Sequence, residues 1–171
     1  FRAIGEMDFS QPTWSITMIP VNEPLLDGNE EKYLARCLAS LKPMVDEMIV
    51  VDTGSTDATR DIASVFGAKV YDYEWNDDFA SARNHSLEQA TGDWILIMDA
   101  DETIEPCDHD SILNLIQKPK SKKNAYLITT RNYTHKYNGI GWQANDGTYI
   151  DSESGCGWIP SAKTRLFTNI F

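Results

Sequence analysis

Thr91-Gly92-Asp93-Trp94-Ile95-Leu96-Ile97-Met98-Asp99-Ala100-Asp101-Glu102 is the stretch whose reading decides the fold. Its apolar run, residues 94–98, is unbroken and bounded by Gly92 before and acids after. That is too short for an ordinary helix and reads as a strand buried on both faces, as in the middle of a parallel sheet. Three carboxylates then fall within residues 99–102. Bare carboxylates are costly to bury unless they are paired or hold a metal. Open α/β sheets bind ligands at the carboxyl ends of their strands. A strand followed at once by acids suits a metal site.

Upstream of this strand the pattern alternates. Residues 15–19 read as a strand closed by Pro20, and residues 20–28 as a loop. Asn29 is the expected N-cap of a helix whose core side is Tyr33, Leu34, Cys37, Leu38 and Leu41. Residues 48–51 form a second buried strand that runs into Asp52-Thr53-Gly54-Ser55-Thr56-Asp57. Ser55 or Thr56 is expected to cap a helix with Ile62, Val65 and Phe66 inward and Gly67 as its stop. Residues 69–73 are a third strand, and residues 76–90 a helix with Phe79, Ala82 and Leu87 inward. The order β-α-β-α-β-α-β predicts a parallel sheet with right-handed crossovers. Downstream the pattern loosens. It predicts a short helix at 111–117, a basic connection at 118–123, a strand at 125–133, a mobile glycine-rich loop or hairpin at 138–157, and a last, antiparallel strand at 164–168.

With 171 residues the chain is large enough for one domain with a real core. A net charge of -11 argues against a nucleic-acid or anionic-membrane partner. It does not exclude a phosphorylated ligand, because a bound divalent cation reverses the local sign. Cys37, Cys107 and Cys156 have no CxxC pairing, so neither a disulfide framework nor a zinc site is indicated. Free thiols fit a reducing, cytoplasmic compartment. No apolar run reaches membrane-spanning length, and no signal-peptide pattern opens the chain. A start at Phe1 and a stop at Phe171 directly after a strand suggest a piece of a longer protein with a possible downstream domain. Other parts of such a protein could bring it to the inner face of the membrane.

The two acidic turns, 52–55 and 99–101, both follow buried strands and are expected on one edge of the sheet. Gly54 lets the first turn bend sharply, and free N–H groups at the next helix suit an anion or a ribose hydroxyl. Arg83, flanked by small residues, could meet a phosphate as a planar fork. One acid for a base or sugar, one arginine for phosphate and a two-acid metal turn make a nucleotide-diphosphate site. Asp108-His109-Asp110 repeats the acid spacing with no buried strand ahead and reads as a solvated helix start. His85, His109 and His135 show no metal-ligand spacing. Trp142 and Trp158 could wall a ligand site or simply pack in the core or anchor a loop.

Val50-Val51-Asp52-Thr53-Gly54-Ser55-Thr56-Asp57, Asn76-Asp77-Asp78-Phe79 with Ala82-Arg83-Asn84, Ala90-Thr91-Gly92-Asp93-Trp94 and Asp99-Ala100-Asp101-Glu102 together resemble the family 2 glycosyltransferases. The resemblance covers residues 15–102, with Thr164-Arg165-Leu166-Phe167 as an outlying match. It is to a bacterial branch, some of whose members carry helical repeats downstream. It implies an α/β GT-A fold, a Rossmann-like, mostly parallel sheet flanked by helices with a small antiparallel part near the C-terminus. Residues 1–171 would be one domain, with 15–102 the nucleotide-sugar-binding half and 103–171 a partial acceptor-side half.

The implied activity is transfer of a sugar from a nucleotide diphosphate sugar, a UDP-sugar by resemblance, to a saccharide, lipid or peptide acceptor. The implied class is an inverting, metal-dependent hexosyltransferase. Pro20, Asp52, Gly54, Arg83, Asp99, Ala100 and Asp101 would line the donor site. Asp52 would meet the base, Arg83 the base or diphosphate, and Asp99 the ribose or sugar. Asp101 and Asp99 would hold Mn²⁺ or Mg²⁺, which favour oxygen ligands. Inversion needs a general base, for which Asp146, Asp151 and Glu153 are candidates. The His-containing segment expected after Arg-Leu-Phe would lie past residue 171. Asn22-Glu23 and Asn29-Glu30 both offer the family's Asn-Glu pair. Two rivals remain: a nucleotide-sugar-binding fragment without turnover, and a haloacid-dehalogenase-type phosphatase with Asp99 as nucleophile in Asp99-Ala100-Asp101-Glu102-Thr103.

Overall fold

A computed structural model describes residues 12–19, 31–117, 123–136 and 140–170. In chain order the elements are β1 (Trp14–Met18), α1 (Glu31–Leu41), β2 (Glu47–Asp52), α2 (Thr59–Phe66), β3 (Lys69–Asp72), α3 (Phe79–Glu88), β4 (Trp94–Ile97), α4 (Pro106–Ile116), β5 (Ala125–Thr134), β6 (Gln143–Ala144) and β7 (Gly157–Thr168). They build one sheet in the order β3-β2-β1-β4-β7-β5, with β6 beside β7. The strands β1 to β4 run parallel, as their continuous apolar runs predict. β7 lies antiparallel between β4 and β5.

Alternate residues of the central strands face two cores, as the period of two along a strand requires. Val50 and Leu96 meet Leu34, Cys37, Leu38 and Leu41 of α1, Ala63 of α2, and Ile112 and Ile116 of α4. On the opposite face Ile49 and Val51 meet Ala82 of α3. Each fully buried leucine or isoleucine contributes about 1.5–3 kcal/mol. At the amino ends of the strands, the Glu47 carboxylate accepts bonds from Ser15 Oγ, Lys69 Nζ, Thr91 N and Thr91 Oγ1. Gly92 donates its N–H to Ser15 Oγ at 2.7 Å, an approach that a side chain would block.

Several expected boundaries and faces shift. Neither Ser55 nor Thr56 caps α2, which begins later, at Thr59, where Asp57 Oδ1 accepts the Thr59 N–H at 3.0 Å. Ile62 and Phe66 pack against the core as expected, joined by the fully buried Thr59 and Ala63, but Val65 is 81% exposed rather than in the core. Gly67 does stop α2, in the left-handed conformation at φ 83°. Phe79 is likewise not inward: it is half exposed, edge-on to Trp75 at 5.3 Å. It opens α3 instead of lying within it, because Asp78 caps that helix by accepting the Ser81 N–H. Tyr33 is also exposed, with Lys32 over its ring. α4 starts at Pro106 rather than 111, so Asp108-His109-Asp110 lies in its first turns. β7 starts at Gly157 rather than 164, since β6 and β5 both pair with its first half. The Asn29 cap and the connection at 118–122 lie outside the described residues. No helix among the described residues is long and apolar enough to cross a membrane.

Candidate functional site

β1 lies between β2 and β4 and parallel to both, so the two acidic turns leave the sheet at one edge. Asp52 is the last residue of β2 and is buried. Gly54 follows in the left-handed region at φ 108°, a conformation that side-chain-bearing residues rarely adopt. Asp52 Oδ1 accepts the Ser55 N–H at 3.2 Å, and Oδ2 accepts Arg60 Nη1 at 2.9 Å. Arg60, from α2, also bonds Asp72 at the end of β3.

The second turn is closed on itself. Glu102 donates its N–H to Asp99 O at 3.0 Å, and Asp99 donates its N–H to Glu102 Oε2 at 3.1 Å. Ala100 is buried beneath it, while Asp101 is exposed at its tip. Among the described residues three cations surround Asp99. Arg165 Nη2 lies at 2.7 Å, Lys163 Nζ at 3.3 Å and Arg83 Nη2 at 3.6 Å. Arg165 Nη2 also donates to Glu102 Oε1 at 2.6 Å. Arg83, read from the sequence as a phosphate-binding fork, here reaches the acid turn at Asp99. Its Nη1, like Arg165 Nε, is buried without a partner among the described residues.

The charges tune one another. For Asp99, burial acts upward most strongly, yet Arg165 and Lys163 together carry the carboxyl below its ordinary range. For Glu102, burial is again the largest influence, and with the nearby Asp99 charge it keeps the carboxyl raised. Burial, joined by the Arg165 charge, takes Arg83 below its ordinary value against the pull of Asp99. Burial alone would lower Arg165, but bonding to Asp99 and the charges of Glu102 and Asp99 outweigh it. Cys37, whose Sγ lies 3.6 Å from Asp99 O, is pushed far up, by burial first and then by the acids above it. It is an inert thiol in the floor of the turn.

A cavity of about 610 Å³ opens beside the turn, lined by Asp101, Glu102 and Glu105, by α4 and β5, and by Tyr149 and Ser152 of the glycine-rich loop. Ser152 Oγ donates to Glu105, docking that loop against the acidic segment. Asp146 pairs with both guanidinium ends of Arg131, at 3.0 and 3.1 Å. The Arg131 guanidinium stacks on Tyr149 at 4.5 Å and on Trp158 at 4.3 Å. Glu153 accepts N–H bonds from Gly147 and Tyr149, and Asp151 is exposed on the same loop. Trp158 is thus a loop anchor.

Among the described residues no three His, Cys, Asp or Glu side chains gather as a ready-made metal cage. The hard oxygen donors of Asp101 and Asp99 still fit Mg²⁺ or Mn²⁺, because such ions are commonly held by one or two carboxylates plus substrate phosphates. Pro20, Asn22-Glu23 and Asn29-Glu30 lie outside the described residues. Sequence reasoning missed Arg60, Lys163 and Arg165. A signal existed for the last two: they alternate on one strand, which puts both on one face.

The sequence model of Glycosyl transferase family 2 matches residues 28–154. A TPR repeat-containing protein of Synechococcus elongatus is 51% identical over 87 residues, which are 51% of this chain and 22% of the relative. The glycosyltransferase SunS of Bacillus subtilis is 45% identical over 75 residues, 43% of this chain and 18% of the relative. The crystal structure of S. aureus TarS 1-349 superposes with a TM-score of 0.51 at 28% identity, covering 62% of this chain and 32% of that one. The matched segment is about a fifth of the length of either curated relative.

Proposed function

The chain belongs to glycosyl transferase family 2, with its α/β GT-A fold, and on that premise we propose that it is the donor-binding domain of a metal-dependent, inverting glycosyltransferase acting on a UDP-sugar. The observation that carries the reading is the convergence, on one sheet edge, of the Asp52-Gly54 turn, the Asp99-Asp101 turn and Arg83. In this reading residues 15–102 hold the nucleotide and residues 103–171 begin the acceptor side.

Asp52 accepts from the base, uracil, within the turn that Gly54 allows. Arg83 Nη1, buried and unpartnered among the described residues, donates to the diphosphate. Asp99 orients the ribose or sugar, and Ala100 keeps the turn's buried side small. Pro20, which the family resemblance adds to the donor site, lies outside the described residues. Asp101, with Asp99, holds Mn²⁺ or Mg²⁺, which when bound neutralises charge growing on the leaving diphosphate. Inversion needs a base at the acceptor hydroxyl. Asp151 is favoured over Asp146 and Glu153, because those two are engaged by Arg131 and by loop amides. The acceptor is a hydroxyl of a saccharide, lipid or peptide. Three free cysteines support a reducing, cytoplasmic setting, reached at the inner membrane face only through other parts of a parent protein. The phosphatase alternative drops out with the family assignment. A fragment that binds donor without turnover stays as the second reading, because the matched segment is about a fifth of its relatives' length.

Calorimetric titration with UDP, GDP, CDP and ADP, with and without Mn²⁺, tests the site on wild type and Asp101→Ala. UDP binding that requires metal and is lost in the variant is the expected result. No binding of any nucleotide under any metal condition overturns it, and hydrolysis of UDP-sugar separates enzyme from binder.

A further inference from the structure

Arg165 stands on β7, the neighbour of β4, and only 4% of its surface is exposed. A single nitrogen, Nη2, donates to Asp99 and to Glu102, the first and last residues of the acid turn. Lys163 and Arg83 reach Asp99 as well, but among the described residues the ion pair to Glu102 comes from Arg165. The turn is closed internally by its two Asp99–Glu102 bonds, and Arg165 ties that closed unit to the sheet. Asp101 is left exposed at the cavity.

We infer that Arg165 is a positioning residue: it clamps Asp99 and Glu102 together so that Asp101 faces the cavity ready for a divalent cation, without touching that cation itself. The inference rests on the reading of Asp101 as the metal ligand. Three carboxylates within four residues repel one another, and removing the clamp leaves the half-enclosed Glu102 without an ion pair among the described residues. The turn then opens, and Asp101 is no longer preorganised. Lysine at this position would restore the charge but not the planar fork, so its rescue is partial.

Amide hydrogen exchange and calorimetric titration with UDP and Mn²⁺ on wild type, Arg165→Ala, Arg165→Lys and Glu102→Gln test this. In Arg165→Ala, exchange at the Asp99 and Glu102 amides should quicken while Ile95 and Leu96 keep their protection. Its metal-dependent UDP affinity should fall roughly 10- to 100-fold, the usual loss when a residue supporting a metal ligand is removed. Arg165→Lys should recover part of that loss, and Glu102→Gln should weaken binding in the same direction. A folded Arg165→Ala with wild-type affinity overturns the inference. If Arg165→Ala loses protection throughout, the other two variants decide: weakened binding in both upholds it, and wild-type affinity in either overturns it. A wild type that binds no nucleotide with any metal overturns the donor-site reading and this inference with it. Wild-type binding that the variants leave unchanged overturns this inference alone.

Discussion

Arg60 Nη1 lies 2.9 Å from Asp52 Oδ2, so the acid that ends β2 is held by an arginine from the helix that follows it. The arrangement parallels Arg165 at Asp99: each acidic turn is secured by a guanidinium from a neighbouring element, α2 in one case and β7 in the other. Without Arg60 the buried Asp52 carboxylate keeps only the Ser55 N–H among these bonds. Arg60→Ala should weaken UDP binding roughly tenfold, the scale of one hydrogen bond to a charged group. Its dependence on Mn²⁺ should not change. Titration of the variant with and without metal checks this, and a loss confined to the metal-dependent part would contradict it.

The inner face of α2 is Thr59, Ile62, Ala63 and Phe66, not Val65. Val65→Asp should therefore change stability by no more than about 0.5 kcal/mol, as exposed substitutions do. Ala63→Leu should cost about 1–3 kcal/mol, because the site against β2 has no room for added methyl groups. Urea denaturation of both variants separates the two faces.

That helix marks where sequence reading stops. The buried strands were legible because an unbroken apolar run such as Trp94-Ile95-Leu96 has few alternatives. Asp52, Asp99 and Asp101 were legible because each lies on or directly beyond such a run. In the eight-residue α2 the apolar spacing correctly placed Ile62 and Phe66 against the core, but an apolar residue type alone put Val65 there too, on what is the exposed side. Arg165 was hidden for another reason. It is 66 residues from Asp99, and no local pattern announces that β7 will insert between β4 and β5. The Asp52 partner was hidden because Arg60 looks like any exposed helix arginine until β3 brings Asp72 beside it.

Gly92 is required by packing. A Cβ there would stand 2.6 Å from the Ser15 N and 2.8 Å from the Trp14 carbonyl carbon, both backbone atoms that cannot step aside. Gly92→Ala should cost about 1–3 kcal/mol through overpacking. A urea midpoint equal to wild type would show that β1 and β4 can separate there.

Glu47 ties β1, β3 and the turn before β4 into one network, and it carries a pH signature. Burial, its largest single influence, pushes the carboxyl up, but bonds from Lys69, Ser15 and Thr91 together bring it below the ordinary 4.5. A carboxyl depressed by folding stabilises the native state above its unfolded value, and that contribution is lost as pH falls through the folded value. Stability should therefore hold at neutral pH and decline in the acid range below 4.5. Glu47→Gln should be less stable at pH 7 and show a shallower acid decline. Parallel denaturation curves for the two proteins from pH 7 to pH 3 would refute this.

Arg131 fastens the glycine-rich loop over the cavity beside the acid turn, and its contacts need a planar fork. It pairs both ends with Asp146 while its face lies between Tyr149 and Trp158. Tyr149 and Ser152 line the cavity, so the loop's position sets that wall. Arg131→Lys keeps the charge but loses the paired bonds and the stacking, and is not a conservative change here. Amide exchange at Gly147 and Tyr149 should quicken, because their Glu153 partner also faces Arg131, at 3.8 Å. UDP affinity should stay at the wild-type value, because none of these loop residues belongs to the donor turns. Transfer to an acceptor should fall. A variant that loses UDP affinity instead would place the loop on the donor side and remove the division between the two halves.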